Sequence, residues 1–105
     1  MKVCVVGGGH IGTTLVCYIK NVHPEFEVTL YTRRPELFSD TLRCNDIEQN
    51  ITYFVQPDLI SNDAKLAITN ADIVFIALPH FAIEQAFADI APLLAVVFTT
   101  VFGFS

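Results

Sequence analysis

The residues best suited to chemistry near the start of the chain are Gly7, Gly9 and Gly12, within the run Gly7-Gly8-Gly9-His10-Ile11-Gly12. Their G-x-G-x-x-G spacing suits a main chain that must come close to a diphosphate. Gly7 lets the chain turn sharply. Gly9, lacking a Cβ, lets a pyrophosphate approach the backbone, and Gly12 lets a following helix pack tightly. Free amides around His10 and Ile11 would then point at the phosphates, and the helix dipole favours their charge. His10 would act through its backbone, so no proton transfer is expected from its ring.

Two further groups extend this chemistry. Thr32, Arg33 and Arg34 stand about twenty residues past the glycines, where NAD-selective sites usually carry Asp or Glu for the ribose hydroxyls. No carboxylate is there to repel a 2′-phosphate, and two guanidiniums could pair with it or stack on adenine. NADP or NAD is therefore the expected cofactor, with NADP slightly favoured. Leu78, Pro79 and His80 end a long apolar run, and they would emerge beside the glycine loop if the first and fourth strands are neighbours. In an open α/β sheet the ligand lies at the carboxyl ends of the strands, so His80 is a candidate cofactor contact.

The elements that must position these groups follow from hydrophobic pattern. Lys2 to Val6 reads as a buried strand, and Ile11, Leu15, Val16 and Ile19 share one side of the helix after the glycines. That helix should fade near Asn21, with His23-Pro24 as its breaker. Glu27 to Thr32 reads as a second strand, joined to the first as a right-handed β-α-β unit. Pro35 to Asn50 is polar and irregular and reads as a crossover with at most a short helical piece, anchored by Leu37, Phe38, Leu42 and Ile47. Either Ile51–Val55 or Leu59–Ile60 is the third sheet strand. Ser61 or Asn62 can cap a short helix through about Thr69. Ala71 to Leu78 is the fourth strand, Phe81 to Ile90 a helix with Ile83, Ala86, Phe87 and Ile90 on one face, and Ala95 to Val101 a fifth strand. The expectation is an α/β, doubly wound, mostly parallel sheet of the Rossmann kind, strand order 3-2-1-4-5.

Bulk properties narrow the function classes. A chain of 105 residues, residues 1–105, makes one domain. Net charge is −5 and Lys and Arg never cluster beyond Arg33-Arg34, so no nucleic-acid partner is expected. The longest apolar stretch, Leu93 to Phe104, is too short to span a bilayer, and no membrane partner is expected. Cys4, Cys17 and Cys44 lack metal or redox spacing and read as free, structural thiols in a reducing, cytoplasmic compartment; no metal site is expected.

Taken together, GGGHIG after a strand, LYTRRPE at the end of the second and ADIVFIALPHFAIEQ across the fourth resemble the N-terminal domain of the octopine/nopaline (opine) dehydrogenases. The wider set includes NAD(P)-dependent glycerol-3-phosphate dehydrogenase, similar at the glycine loop and at the Leu-aromatic-x-Arg-Arg-Pro stretch. ALPHFA tilts the resemblance to the opine branch. Ketopantoate reductase resembles the first part, but usually places a lysine after the fourth strand, where this chain has Pro79-His80. The resemblance implies that Gly7, Gly9, His10, Ile11 and Gly12 line the pyrophosphate. It places Arg33, with Arg34 as a second candidate, at the adenosine end, and Leu78, Pro79 and His80 on the inner-ribose and nicotinamide side.

The same resemblance implies hydride transfer from NAD(P)H to an imine of an amino acid and a keto acid. It also implies a helical C-terminal domain that supplies the catalytic residues and substrate pocket. These 105 residues are then expected to be a fragment of a longer enzyme, inactive alone and with no catalytic residue of its own. The small-molecule substrate would bind through that further domain, and a homodimer is an assembly to test. The alternatives are ketone reduction of the glycerol-3-phosphate dehydrogenase kind and a non-catalytic NAD(P)H-binding sensor module. A flavin or adenylate binder using the same loop is a remoter reading.

Overall fold

Val3, Cys4, Val5 and Val6 are all buried, so the strand they form, β1 (Lys2–Val6), must be covered on both faces. The computed structural model describes the backbone of residues 1–93 and 98–104 and the side chains of residues 1–93. After β1 come α1 (His10–Val22) and β2 (Glu27–Tyr31), then a 3-10 turn at Pro35–Leu37. An antiparallel pair follows, β3 (Leu42–Asp46) and β4 (Ile51–Val55), and then β5 (Leu59–Ser61) and α2 (Ala64–Ile68). The chain continues through β6 (Ile73–Pro79), α3 (His80–Ile90), a 3-10 turn at Ala91–Leu93 and β7 (Phe98–Phe104).

The main sheet is wholly parallel, in the order β5-β2-β1-β6-β7. Counted along this sheet alone the order is 3-2-1-4-5, as the sequence implies. Alternate side chains sort into two cores. Val3, Val5, Val28 and Leu30 join Val16, Cys17 and Ile19 of α1 and Leu42, Cys44 and Val55 of the antiparallel pair. Cys4, Val6, Val74 and Ile76 join Ala67 and Ile68 of α2 and Ala86 and Ile90 of α3.

Backbone and charge bonds set the register. Lys20 Nζ donates to the Pro24 and Phe26 carbonyls at 3.2 and 3.0 Å and to Asp58 Oδ2 at 3.1 Å. Asp58 Oδ2 also accepts from the Val28 amide at 2.7 Å, so one lysine and one aspartate tie the end of α1 to the entry of β5. At the other edge of β1, Asp72 Oδ2 accepts from the Lys2 amide at 2.8 Å.

Several expectations need correction. Of the two candidates for the third sheet strand, Leu59–Ile60 is the one that joins the sheet, as Leu59–Ser61; the departure is Leu42–Asp46, a strand inside the stretch read as an irregular crossover, which pairs with Ile51–Val55. Neither Ser61 nor Asn62 caps α2; Asp63 does, accepting from the Leu66 amide at 3.2 Å. Ile11 is exposed, because the sheet-facing stripe of α1 is Gly12, Val16, Cys17 and Ile19. The fifth strand runs on to Phe104 rather than ending at Val101; residues 95–97 of the predicted span lie outside the described residues.

The cysteines also differ from expectation. Cys17 and Cys44 form a disulfide with Cα atoms 6.1 Å apart, and only Cys4 is a free, buried thiol. The physical reason is the β3–β4 pair itself, which docks on α1 and brings Cys44 onto Cys17. The inference of a reducing compartment from three free thiols loses its basis.

Candidate functional site

The carboxyl ends of β1, β2 and β6 meet at the glycine run. Val6 is level with Tyr31 on one side and Ile76 on the other, so β6 reaches past β1 by Ala77, Leu78 and Pro79. Gly7 turns beside that overhang with φ at 126°, a backbone region that side chains other than glycine strain to adopt. A Cβ there would also strike the Ala77 carbonyl, and the Gly7 amide is held by the Tyr31 carbonyl at 2.9 Å. Gly12 packs so closely that a Cβ would collide with the carbonyl of Gly7. Gly9 differs: nothing stands within 4 Å of where its Cβ would be. The loop is thus closed toward the protein at Gly7 and Gly12 and open toward solvent at Gly9.

Helix α1 begins at this opening. Its cap residue Gly9 supplies no side-chain acceptor, and Thr13 is the first residue whose amide finds a helical carbonyl, that of Gly9 at 3.0 Å. The Thr13 hydroxyl adds a bond to the same carbonyl at 2.9 Å. The amides of His10, Ile11 and Gly12 are left without helical partners at the positive end of the helix dipole.

In front of them lies a cleft of about 360 Å³. Val6 and Gly7 to Gly9 form its floor, Tyr31 to Arg34 one wall, Leu37 and Phe38 its rim, and Leu78 its inner end. Ala82, Ala86 and Asp89 of α3 form the facing wall. Thr32 is buried and fixed by its amide on the Ser61 carbonyl at 2.9 Å, and its hydroxyl accepts from the Arg34 amide at 3.4 Å. Arg34 pairs with Glu36 at 3.3 Å, both exposed, while Arg33 makes no ion pair among the described residues. Burial raises the Tyr31 phenol above the ordinary tyrosine range; Asp89 pushes the same way and Arg33 opposes. Tyr31 therefore stays a neutral hydrogen-bonding group at physiological pH.

The cleft brings together Gly7, Gly9, Thr32, Arg33, Arg34 and Leu78. His10 and Ile11 open α1 beside it, but their side chains line a shallow apolar groove with Thr14, Leu15 and Tyr18 on the outer face of that helix. Pro79 caps α3 and exposed His80 begins it; neither is a wall of the cleft. Sequence reasoning missed Tyr31, Phe38, Ala82, Ala86 and Asp89 as site residues. For the α3 wall a signal existed: positions 82, 86 and 89 share a helical face. Among the described residues no cluster of His, Cys, Asp or Glu could hold a metal, and no helix is long and apolar enough to cross a membrane.

An uncapped helix start behind an open glycine fits a diphosphate, and the flanking wall of Arg33 with an apolar floor fits an adenosine. Comparison with known proteins agrees. The family described as NAD-dependent glycerol-3-phosphate dehydrogenase N-terminus matches residues 2–102. Octopine dehydrogenase of Mizuhopecten yessoensis is 30% identical over 102 residues, covering 88% of this chain and 26% of that protein. Glycerol-3-phosphate dehydrogenase [NAD(P)+] of Thermoanaerobacter sp. (strain X514) is 27% identical over 86 residues, 81% of this chain and 26% of its own length. A solved octopine dehydrogenase with NADH and L-arginine superposes with a TM-score of 0.77 at 29% identity, over 96% of this chain and 28% of that one. The chain spans about a quarter of the length of the curated relatives it matches. With nearly its whole length inside the match, this chain belongs to the family of NAD-dependent glycerol-3-phosphate dehydrogenase N-terminal domains, an NAD-binding Rossmann unit.

Proposed function

We propose that this chain is the cofactor-holding part of an opine dehydrogenase-like enzyme, one that reduces the imine of an amino acid and a keto acid. The observation that carries the reading is the open face at Gly9 set against the uncapped start of α1. Gly7, Gly9 and the amides of His10, Ile11 and Gly12 hold the diphosphate; Thr32, Arg33 and Arg34 hold the adenosine end. Leu78, Pro79 and His80 face the nicotinamide half. When bound, the cofactor supplies the hydride, and the protein binds and orients it.

The opine assignment is supported by 29–30% identity to octopine dehydrogenase over 88–96% of the chain. In this reading the substrate and its proton donors are held by a part of the length that the relatives have in addition to the quarter matched here. The 105 residues are then a binding unit, and the two arginines admit NADPH as well as NADH.

Titration of the chain with NADH and NADPH tests the binding half of the proposal, and absence of binding to both would remove it. Assay of a parent enzyme with NAD(P)H and paired amino and keto acids tests the reaction. Turnover of a ketone phosphate instead would favour the glycerol-3-phosphate dehydrogenase reading, which the family match supports. Tight binding with no turnover of any substrate would favour a sensor module.

A further inference from the structure

The end of β2 lacks the carboxylate that selects NAD, since Thr32 occupies that region. In the folded chain a carboxylate reaches the cleft from the opposite side. Asp89 follows Ala82 and Ala86 along one face of α3, and these three form the wall facing Tyr31 to Arg34. Asp89 and Arg33 act on the Tyr31 phenol with opposite sign, so both lie within electrostatic reach of the same group. Asp89 makes no ion pair among the described residues. Its Oδ1 accepts one long bond from Gln85 Nε2, at 3.4 Å, which leaves Oδ2 for a ligand. On the β2 side Arg34 is already engaged by Glu36, so Arg33 is the cation free to meet a further phosphate.

We propose that Asp89 sets the cofactor preference of this domain: from the α3 wall it accepts a hydrogen bond from the adenosine moiety and opposes the 2′-phosphate that Arg33 attracts. The inference rests on the cleft being the dinucleotide site. It places the selecting carboxylate on the helix after the fourth sheet strand rather than at the end of the second. The two charges then work against each other across the cleft, and the domain accepts both cofactors with a preference neither strongly one way nor the other.

The test is a pair of titrations, NADH and NADPH, on the 105-residue chain and on Asp89→Asn, at low and at physiological salt. Asp89 is exposed near the end of a helix, so the substitution leaves the fold intact. The expected result is a rise of roughly 3- to 10-fold in NADPH affinity relative to NADH, the size of one screened charge facing a dianion, and smaller at the higher salt. Glu84→Gln, which removes an exposed charge from the same helix but not from the cleft, should leave the ratio unchanged. An unaltered ratio in Asp89→Asn, or an equal shift in Glu84→Gln, overturns the assignment while the cleft reading stands. Failure of the unsubstituted chain to bind either cofactor overturns both.

Discussion

The two faces of the parallel sheet are held by different means. On one, α1 is pinned at its start by the contact of Gly12 with the Gly7 carbonyl and further along by the Cys17–Cys44 bond to the β3–β4 pair. On the other, α2 and α3 rest on the sheet through apolar burial, and the same face carries two groups that apolar burial does not favour. Cys4 and Thr29 are register partners on adjacent strands, and both are fully buried. The first face positions the uncapped amides at the start of α1 and is fixed by backbone contact and a covalent link. The second supplies the α3 wall and is held by packing, with one side-chain bond from Lys2 Nζ to the Thr69 carbonyl at the end of α2, at 2.7 Å. The backbone contact and the covalent link both fall on the helix that opens with the free amides.

The most direct way to break that contrast is Gly12→Ala. Its Cβ would meet the Gly7 carbonyl, a backbone atom with no rotamer to escape through, so α1 must lift from the sheet. The expected cost is about 3 kcal/mol or more in denaturant midpoint analysis, with loss of NADH binding. Gly9→Ala, facing open space, should leave stability almost unchanged and weaken NADH binding alone. Equal stability loss in the two variants would refute the division of roles.

Next is the covalent link. Closing a loop of sequence separation 27 is worth about 3.5 kcal/mol by chain entropy. Urea unfolding with and without a dithiol reductant should show that difference, and Cys44→Ser should behave like the reduced protein. Thiol titration in denaturant should find one reactive thiol before reduction and three after, for the three cysteines present. Three before reduction would show that Cys17 and Cys44 are not joined.

These two features were not equally legible in the sequence. The glycine corner could be read because its constraint is local: a strand of valines, three spaced glycines and a periodic helix lie within twenty residues of one another. The order of the parallel strands came with the doubly wound fold that this corner implies, and the apolar runs of β1 and β6 located two of its strands. Ile51–Val55 reads as a candidate strand, but its partner β3 is hidden, because only Leu42, Cys44 and Val55 are buried in the pair while Arg43, Phe54 and Ile51 face solvent. Such a weak alternation resembles a loop. Cys17 and Cys44 meet only after that pair docks on α1, which no local pattern encodes. Asp89 was passed over for a related reason, since an aspartate late in an amphipathic helix reads as solvent-facing until the opposite wall is known.

On the second face the first test is pH. Burial pushes the Cys4 thiol up to about 12 from an ordinary value of 9.0, against the pull of Lys2. The folded value lies above the unfolded one, so the contribution is fully present below pH 9 and lost as pH rises toward 12. A loss of about 1 kcal/mol by pH 10 is expected relative to pH 7, and its absence in Cys4→Ala would attribute it to this thiol. A pH dependence identical in both proteins would assign the loss elsewhere.

The smallest effect concerns the neighbour of Cys4. The Thr29 hydroxyl is buried with no hydrogen-bond partner, so folding removes it from water without compensation. Thr29→Val keeps the shape and the β-branching and removes only the stranded oxygen. Leaving such a group unpaired costs about 1 kcal/mol or more, and the valine variant should be more stable by up to that amount in urea unfolding. The matching change on the first face, Val28→Thr, introduces the same hydroxyl beside Cys17 and Leu30 and should destabilise by a similar or larger amount. If Thr29→Val instead lowers stability, the hydroxyl is satisfied in solution, and the second face is as well resolved as the first. The contrast between the faces would then rest on the covalent link and the Gly12 contact alone.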